Sequence, residues 1–121
     1  MKLGLLVNSQ NSLEIISNLK FKASKLFEVS KFVQLAIEEI NSFNKIKEKK
    51  IKEFGEEKTI NNKPVFEVKP ENQQQFFTEM EELLNQDIEL EVPEISLEAF
   101  EDVEMSPREF LSLKWLIKKE D

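Results

Sequence analysis

The stretch "KLFEVSKFVQLAIEEINSFNKIKEKKIKEF", Lys25 to Phe54, decides the fold. Projected at the helical angle of about 100° per residue, Lys45, Lys49 and Lys52 fall on one face. The opposite face collects the apolar side chains, which are Leu26, Val29, Phe32, Val33, Ala36, Ile37, Ile40, Phe43, Ile51 and Phe54. This pattern predicts one amphipathic helix about 45 Å long, at a rise of about 1.5 Å per residue. Gly55 follows at the position that favours a left-handed residue after a helix.

Helices are also indicated on either side of this stretch. Asn11 with Glu14 three residues later predicts the capped start of a short helix. Pro70 predicts the first turn of a helix that ends near Asn85. Ser106, Pro107 and Glu109 form the sequence signature of a capping box, with Pro107 in the first turn.

Strand patterns fill most of the remaining chain. The segment "EKTINNKPVFEVK" predicts a hairpin that turns at Asn61 and Asn62, because asparagine tolerates positive φ. The alternating segments "LKFKA", residues 19–23, and "DIELEV", residues 87–92, predict two half-buried strands. We therefore expect an α+β fold in a single domain, residues 1–121. One long amphipathic helix and two or three shorter ones would pack with a small antiparallel sheet.

The composition excludes several kinds of chemistry. The chain has no cysteine, histidine or tyrosine, which rules out thiolate chemistry, a histidine general base and a histidine-ligated metal. Carboxylate pairs such as Glu79 with Glu82 are expected by chance in a chain with 24 acidic residues. We therefore expect no enzyme activity, no cofactor and no bound metal. No apolar run is long enough for a signal peptide or a membrane span, so the expected location is the cytoplasm.

The charge is divided between the two halves of the chain. Residues 1–70 carry thirteen lysines against nine acidic residues, whereas residues 71–121 carry four basic against fifteen acidic residues. The lysines of "KIKEKKIKEFGEEK", residues 45–58, alternate with glutamates, which favours a solvated helix end over a nucleic-acid site. The acidic block between Glu71 and Pro107 contains no basic residue. It either solvates its own elements, or neutralises the lysines, or forms a negative face that imitates nucleic acid.

The long helix gives the clearest inference about function. Its apolar stripe is longer than the other predicted helices can cover, so we expect one end to remain open to a partner. That partner is either another protein or a second copy of the chain. The candidate partner-binding residues are Phe32, Phe43, Ile51, Phe54 and Trp115. The candidate residues of the acidic face are Glu89, Glu91, Glu101 and Asp102.

The order of the motifs "LKFKASK", "IKEFGEEK", "ENQQQFFTEMEELLNQDIELEV" and "SPREFLSLKWLI" resembles a family of small proteins encoded by phages and prophages of Gram-positive bacteria. The resemblance covers residues 19–117 and consists of helix and strand patterns. It implies a phage protein that works in the bacterial cytoplasm, and it supplies no catalytic residues.

Three functional hypotheses follow. The first is a non-enzymatic protein that binds another protein through its long amphipathic helix. The second is an acidic inhibitor of a bacterial nucleic-acid-targeting defence complex. The third is an accessory protein of virion assembly. Direct binding to nucleic acid or to a membrane is not expected.

Overall fold

The computed structural model describes residues 1–117 and confirms an α+β fold that is mostly helical. The α-helices and strands, in chain order, are α1 (Leu3–Val7), α2 (Gln10–Ser17), α3 (Ala23–Phe54), β1 (Gly55–Ile60), β2 (Lys63–Val68), α4 (Gln73–Leu84) and α5 (Pro107–Leu113). Single 3₁₀ turns occupy Pro70–Asn72, Leu97–Phe100 and Lys114–Leu116.

The long helix α3 has the predicted extent to within two residues. It has 32 residues and begins at Ala23, with Lys22 at the N-cap. It ends at Phe54 because the chain then turns directly into β1. Gly55 is extended there, with φ −114° and ψ −179°, so the predicted left-handed conformation is wrong. The glycine is needed for another reason, since a Cβ at this position would overlap the carbonyl oxygens of Ile51 and Glu67.

The sheet consists of one antiparallel hairpin that extends from the end of α3. Strands β1 and β2 pair in register from Gly55 opposite Val68 to Ile60 opposite Lys63. Asn61 and Asn62 have φ values of 53° and 63°, as predicted for a two-residue hairpin turn. On both faces of the hairpin, most side chains are exposed to solvent.

Two predicted strands are wrong. Residues 19–23 and 87–92 form no strand, although half-buried apolar and exposed charged side chains alternate over residues 19–22 and 87–91. Ala23 and Val92, the last residue of each segment, are exposed. Within residues 1–117, no strand lies beside either backbone. The second segment makes only an isolated antiparallel bridge between Lys2 and Asp87.

The capping signals in the sequence predict the start of α5 correctly but not the start of α2. The capping box of α5 is confirmed, with hydrogen bonds of 3.2 Å in both directions between Ser106 and Glu109. The predicted cap at Asn11 is wrong, because α2 already begins at Gln10 after Ser9. The helix expected from Pro70 starts as a 3₁₀ turn and continues as α4 to Leu84.

The core lies along α3 in two clusters. The first surrounds the N-terminal half of α3 with residues of α2, α5 and the segment around Ile95 and Phe100. The second packs Phe43 against Leu3 of α1 and against Phe76 and Met80 of α4. Because the elements contact α3 from one side, its opposite side and both margins of the apolar stripe remain in solvent.

Candidate protein-binding surfaces

The five predicted partner-binding residues belong largely to the protein's own core. Phe32 and Phe43 are only 2% and 6% exposed, so they offer almost no surface to a partner. Ile51, Phe54 and Trp115 are half-buried, and Ile51 and Phe54 pack against the second core cluster, as does the hairpin residue Val68. The accessible apolar surface of α3 is therefore formed by other residues.

Trp115 seals the first core cluster. Its ring meets Phe32 edge to face, with 6.1 Å between the ring centroids. The indole Nε1–H is buried and has no hydrogen-bond acceptor among residues 1–117. A buried donor without an acceptor usually lowers stability.

One margin of the α3 stripe forms an apolar cleft. Leu26 and Ile37 are each 47% exposed, and Val33 lies half-buried between them. Leu19 and Phe21, from the segment between α2 and α3, form the opposite wall of this cleft of about 420 Å³. The exposed apolar side chains of this cleft lie along the N-terminal half of α3.

The other margin of the stripe forms a second cleft, of about 690 Å³. Phe27, which is 75% exposed, and Leu35 line its helical side. Residues 88–91 line the other side, and Glu28 and Lys31 also border it. Phe27 was missed by the sequence reasoning because it projects about 100° away from Leu26, outside the buried stripe.

The predicted acidic residues Glu89, Glu91, Glu101 and Asp102 are all exposed. Within residues 1–117 none of the four forms a salt bridge with a lysine or arginine. Lys25 approaches this part of the chain, but its Nζ donates to the backbone carbonyl oxygen of Glu94 at 3.0 Å. The acidic block therefore does not pair its side chains directly with the lysine-rich half, apart from contacts at Asp87 and Glu79.

The lysine-rich end of α3 is partly neutralised. Lys50 Nζ lies 3.4 Å from both Glu53 and Glu79 and 5.6 Å from the centroid of the Phe54 ring. The hydrogen bond with Glu53 raises the pKa of Lys50 above its ordinary 10.5. Desolvation lowers this pKa by less, and the charges of Glu53 and Glu79 add to the rise. This half-buried lysine lies along the apolar stripe, as a long methylene stem allows.

Two further findings concern the part of the chain that the structure describes. No group of three or more carboxylates between residues 1 and 117 is arranged to hold a metal ion. In the same range, no helix is long and apolar enough to cross a membrane.

Comparisons with protein-family models, with curated proteins and with solved structures gave no match.

Proposed function

We propose that the protein is a non-enzymatic, phage-type binding protein that acts by docking another protein along α3. The observation that carries this proposal is the apolar cleft beside Leu26 and Ile37. Burying a leucine or isoleucine side chain completely is worth about 1.5–3 kcal/mol relative to leaving it in water. Two such side chains, each half exposed along one helix margin, favour a partner that covers both.

A partner helix suits this cleft. Leu26, Val33 and Ile37 recur at intervals of seven and four residues, which is the spacing at which one helix margin meets another helix. The neighbouring Ser30 is small and leaves room for close approach. The partner is a different protein, or a second copy that contributes the same margin.

The test uses a double variant, Leu26→Glu with Ile37→Glu. Leu111→Glu is the matched control, because Leu111 is also an exposed leucine on a helix but lies on α5. Light scattering after size exclusion reports self-association, and quantitative capture from a bacterial lysate reports other partners. We expect the double variant to lose the complex while Leu111→Glu keeps it. A monomer that captures the same proteins in all three forms would contradict the proposal.

A second candidate function is inhibition of a nucleic-acid-targeting defence complex through the acidic face. It is favoured by the exposure of Glu89, Glu91, Glu101 and Asp102 and by their lack of ion pairs within residues 1–117. Unneutralised carboxylates maintain a negative field that attracts a cationic nucleic-acid channel.

Charge reversal tests this second candidate. Replacing the four carboxylates by lysine should abolish protection of an invading plasmid in bacteria that carry such a complex. Circular dichroism checks that the variant still folds, since all four side chains are exposed. Protection that survives the reversal would remove this function.

A further inference from the structure

Residues 88–91 carry the side-chain pattern of a β-strand. Among residues 1–117, the segment 88–92 has no neighbouring strand along most of its length. Ile88 and Leu90 are half-buried against the first core cluster, while Asp87, Glu89 and Glu91 point outward and are exposed. In a β-strand, this alternation places every second side chain against the core and the others in solvent.

The backbone of this segment is paired only at its beginning. The Ile88 N–H donates to the Met1 carbonyl oxygen at 2.8 Å. The N–H groups of Glu89, Leu90, Glu91 and Val92 have no acceptor within residues 1–117. Such a row of free donors and acceptors is the feature that lets a sheet edge accept another chain.

An apolar cleft lies directly beside the free backbone. This second cleft places Phe27 and Leu35 of α3 opposite Leu90. Its volume of about 690 Å³ leaves space for the side chains of an added strand. Phe27 is the most exposed of the large apolar side chains described, and a strand in the cleft would cover it.

The charged side chains that line the cleft indicate which kind of strand it would bind. Three carboxylates, those of Glu28, Glu89 and Glu91, line it with two ammonium groups, that of Lys31 and that of the Met1 N-terminus. The Met1 ammonium donates to the backbone carbonyl oxygen of Ile88 at 3.3 Å and not to a carboxylate. Glu28 already pairs with Lys25 at 3.1 Å, whereas Glu89 and Glu91 form no ion pair with any described residue. Cross-strand pairs of opposite charge stabilise a sheet, and like charges destabilise it.

We propose that residues 88–92 accept a β-strand from a partner protein whose side chains alternate between basic and apolar. The added backbone pairs with every second residue from Glu89 to Val92, because successive backbone groups of a strand point to opposite edges. Its apolar side chains lie with Leu90 and Phe27, and its basic side chains lie opposite Glu89 and Glu91. The inference deepens the proposed protein-binding function, on which it rests, but uses the margin of α3 opposite to the Leu26 cleft.

The probe is an eight-residue peptide of alternating lysine and valine with blocked ends, added to the full chain at 0.15 M salt to weaken unspecific attraction. Amide chemical shifts and hydrogen exchange locate the binding site. We expect protection of every second amide from Glu89 to Val92, as one added strand requires, and shifts at Phe27. A version of the peptide with methylated backbone nitrogens keeps the charge but cannot form the ladder, and it should not bind.

Charge reversal then separates this site from general acidity. Glu89→Lys with Glu91→Lys should weaken binding of the peptide about tenfold or more, because two attractive cross-strand pairs become repulsive. Glu101→Lys with Asp102→Lys changes the net charge equally outside the cleft and should change the affinity less than about twofold. The Leu26→Glu and Ile37→Glu double variant should bind the peptide normally.

Each contrary result overturns the proposal. These results are no binding, equal binding of the methylated peptide, equal weakening by both charge-reversed pairs, and shifts that map to Leu26 and Ile37. Equal weakening by both pairs would instead favour the acidic inhibitor. If the peptide does not bind, the proposal that a partner docks in the Leu26 cleft is unaffected, because different variants test that proposal.

Discussion

The Ser12 hydroxyl donates a hydrogen bond of 3.0 Å to the backbone carbonyl oxygen of Ser112, which joins α2 to α5. Ser12 is fully buried, so its hydroxyl has this bond in place of water. We expect Ser12→Ala to lower the free energy of unfolding by about 1 kcal/mol, because the carbonyl oxygen loses a buried donor. Urea denaturation measures this change. Ser42→Ala, on the exposed side of α3, should have no effect or slightly raise stability, and equal losses in both variants would contradict the assigned role of Ser12.

The contact between Phe32 and Trp115 allows a second prediction. Trp115→Phe removes the buried Nε1–H that has no acceptor among the described residues, and it keeps an aromatic ring beside Phe32. We expect its stability to lie within about 1 kcal/mol of the wild type, because the lost packing is offset by the removed donor. Phe32→Ala should cost about 3–5 kcal/mol. The Phe32→Ala unfolding can be followed by fluorescence, since Trp115 is the only tryptophan.

A Trp115→Phe variant as unstable as Phe32→Ala would contradict the expectation that removal of the buried donor offsets the lost packing. Circular dichroism is the appropriate measurement for that variant, because it contains no tryptophan.

The ion pairs of Lys50 predict a dependence of stability on alkaline pH. The pKa of Lys50 is raised in the folded chain, mainly by Glu53. The folded state therefore holds this proton more tightly than the unfolded state. The resulting stabilisation is complete below pH 10.5 and is lost as the pH rises through the higher folded value. The chain has no cysteine or tyrosine to titrate in this range.

The measurement compares the denaturation midpoints of wild type and Lys50→Met between pH 9 and pH 12. We expect the wild type to lose stability relative to Lys50→Met as the pH rises. Using the difference between the two proteins is necessary because Lys58 also has a raised pKa, mainly through its hydrogen bond with Glu67. Glu53→Gln should reduce the pH dependence of the midpoint. If the midpoints of all three proteins change with pH in parallel, the ion pair between Lys50 and Glu53 does not contribute to stability.

The elements that the sequence predicts correctly are those whose signals are local. The apolar period of α3 extends over thirty residues and has no other regular interpretation. The capping box at Ser106 and Glu109 and the turn at Asn61 and Asn62 depend on residues within a few positions of each other. Residues 87–91 alternate in burial as predicted, whereas Val92 is exposed, and a strand also needs a neighbour. Whether one lies beside Glu89 depends on the placement of distant elements.

The same limit applies to the candidate binding surface. Phe32, Phe43 and Leu26 lie on one helical face in the sequence, yet α1, α4 and α5 bury the first two and leave Leu26 exposed. A helical projection gives the direction of each side chain and not which elements cover it. The exposure of Phe27 has the same origin, because its direction marks it only as lying outside the stripe.

The hairpin turn gives a fourth prediction. Asn62 has φ 63°, a conformation in which glycine has no steric cost. We expect Asn62→Gly to stabilise the hairpin by about 0.5 kcal/mol and Asn62→Val to destabilise it by about 1 kcal/mol or more. Because the hairpin is exposed on both faces, hydrogen exchange of the β1 and β2 amides is a better measurement than global unfolding. Equal exchange rates in both variants would contradict the assigned turn.

Gly55 gives the last prediction, which follows from close packing and not from backbone freedom. Its extended φ of −114° is open to any residue, but an added Cβ would overlap the carbonyl oxygens of Ile51 and Glu67. We expect Gly55→Ala to lower stability by about 1–3 kcal/mol and to loosen the pairing of Gly55 with Val68, since backbone atoms must move. Gly4→Ala is the matched control, because its nearest atom, the Leu84 carbonyl oxygen, is 3.2 Å from the added Cβ. That change should cost less, since alanine also favours the helix α1. A Gly55→Ala variant as stable as the wild type would show that α3 and β1 join with more space than these contacts allow.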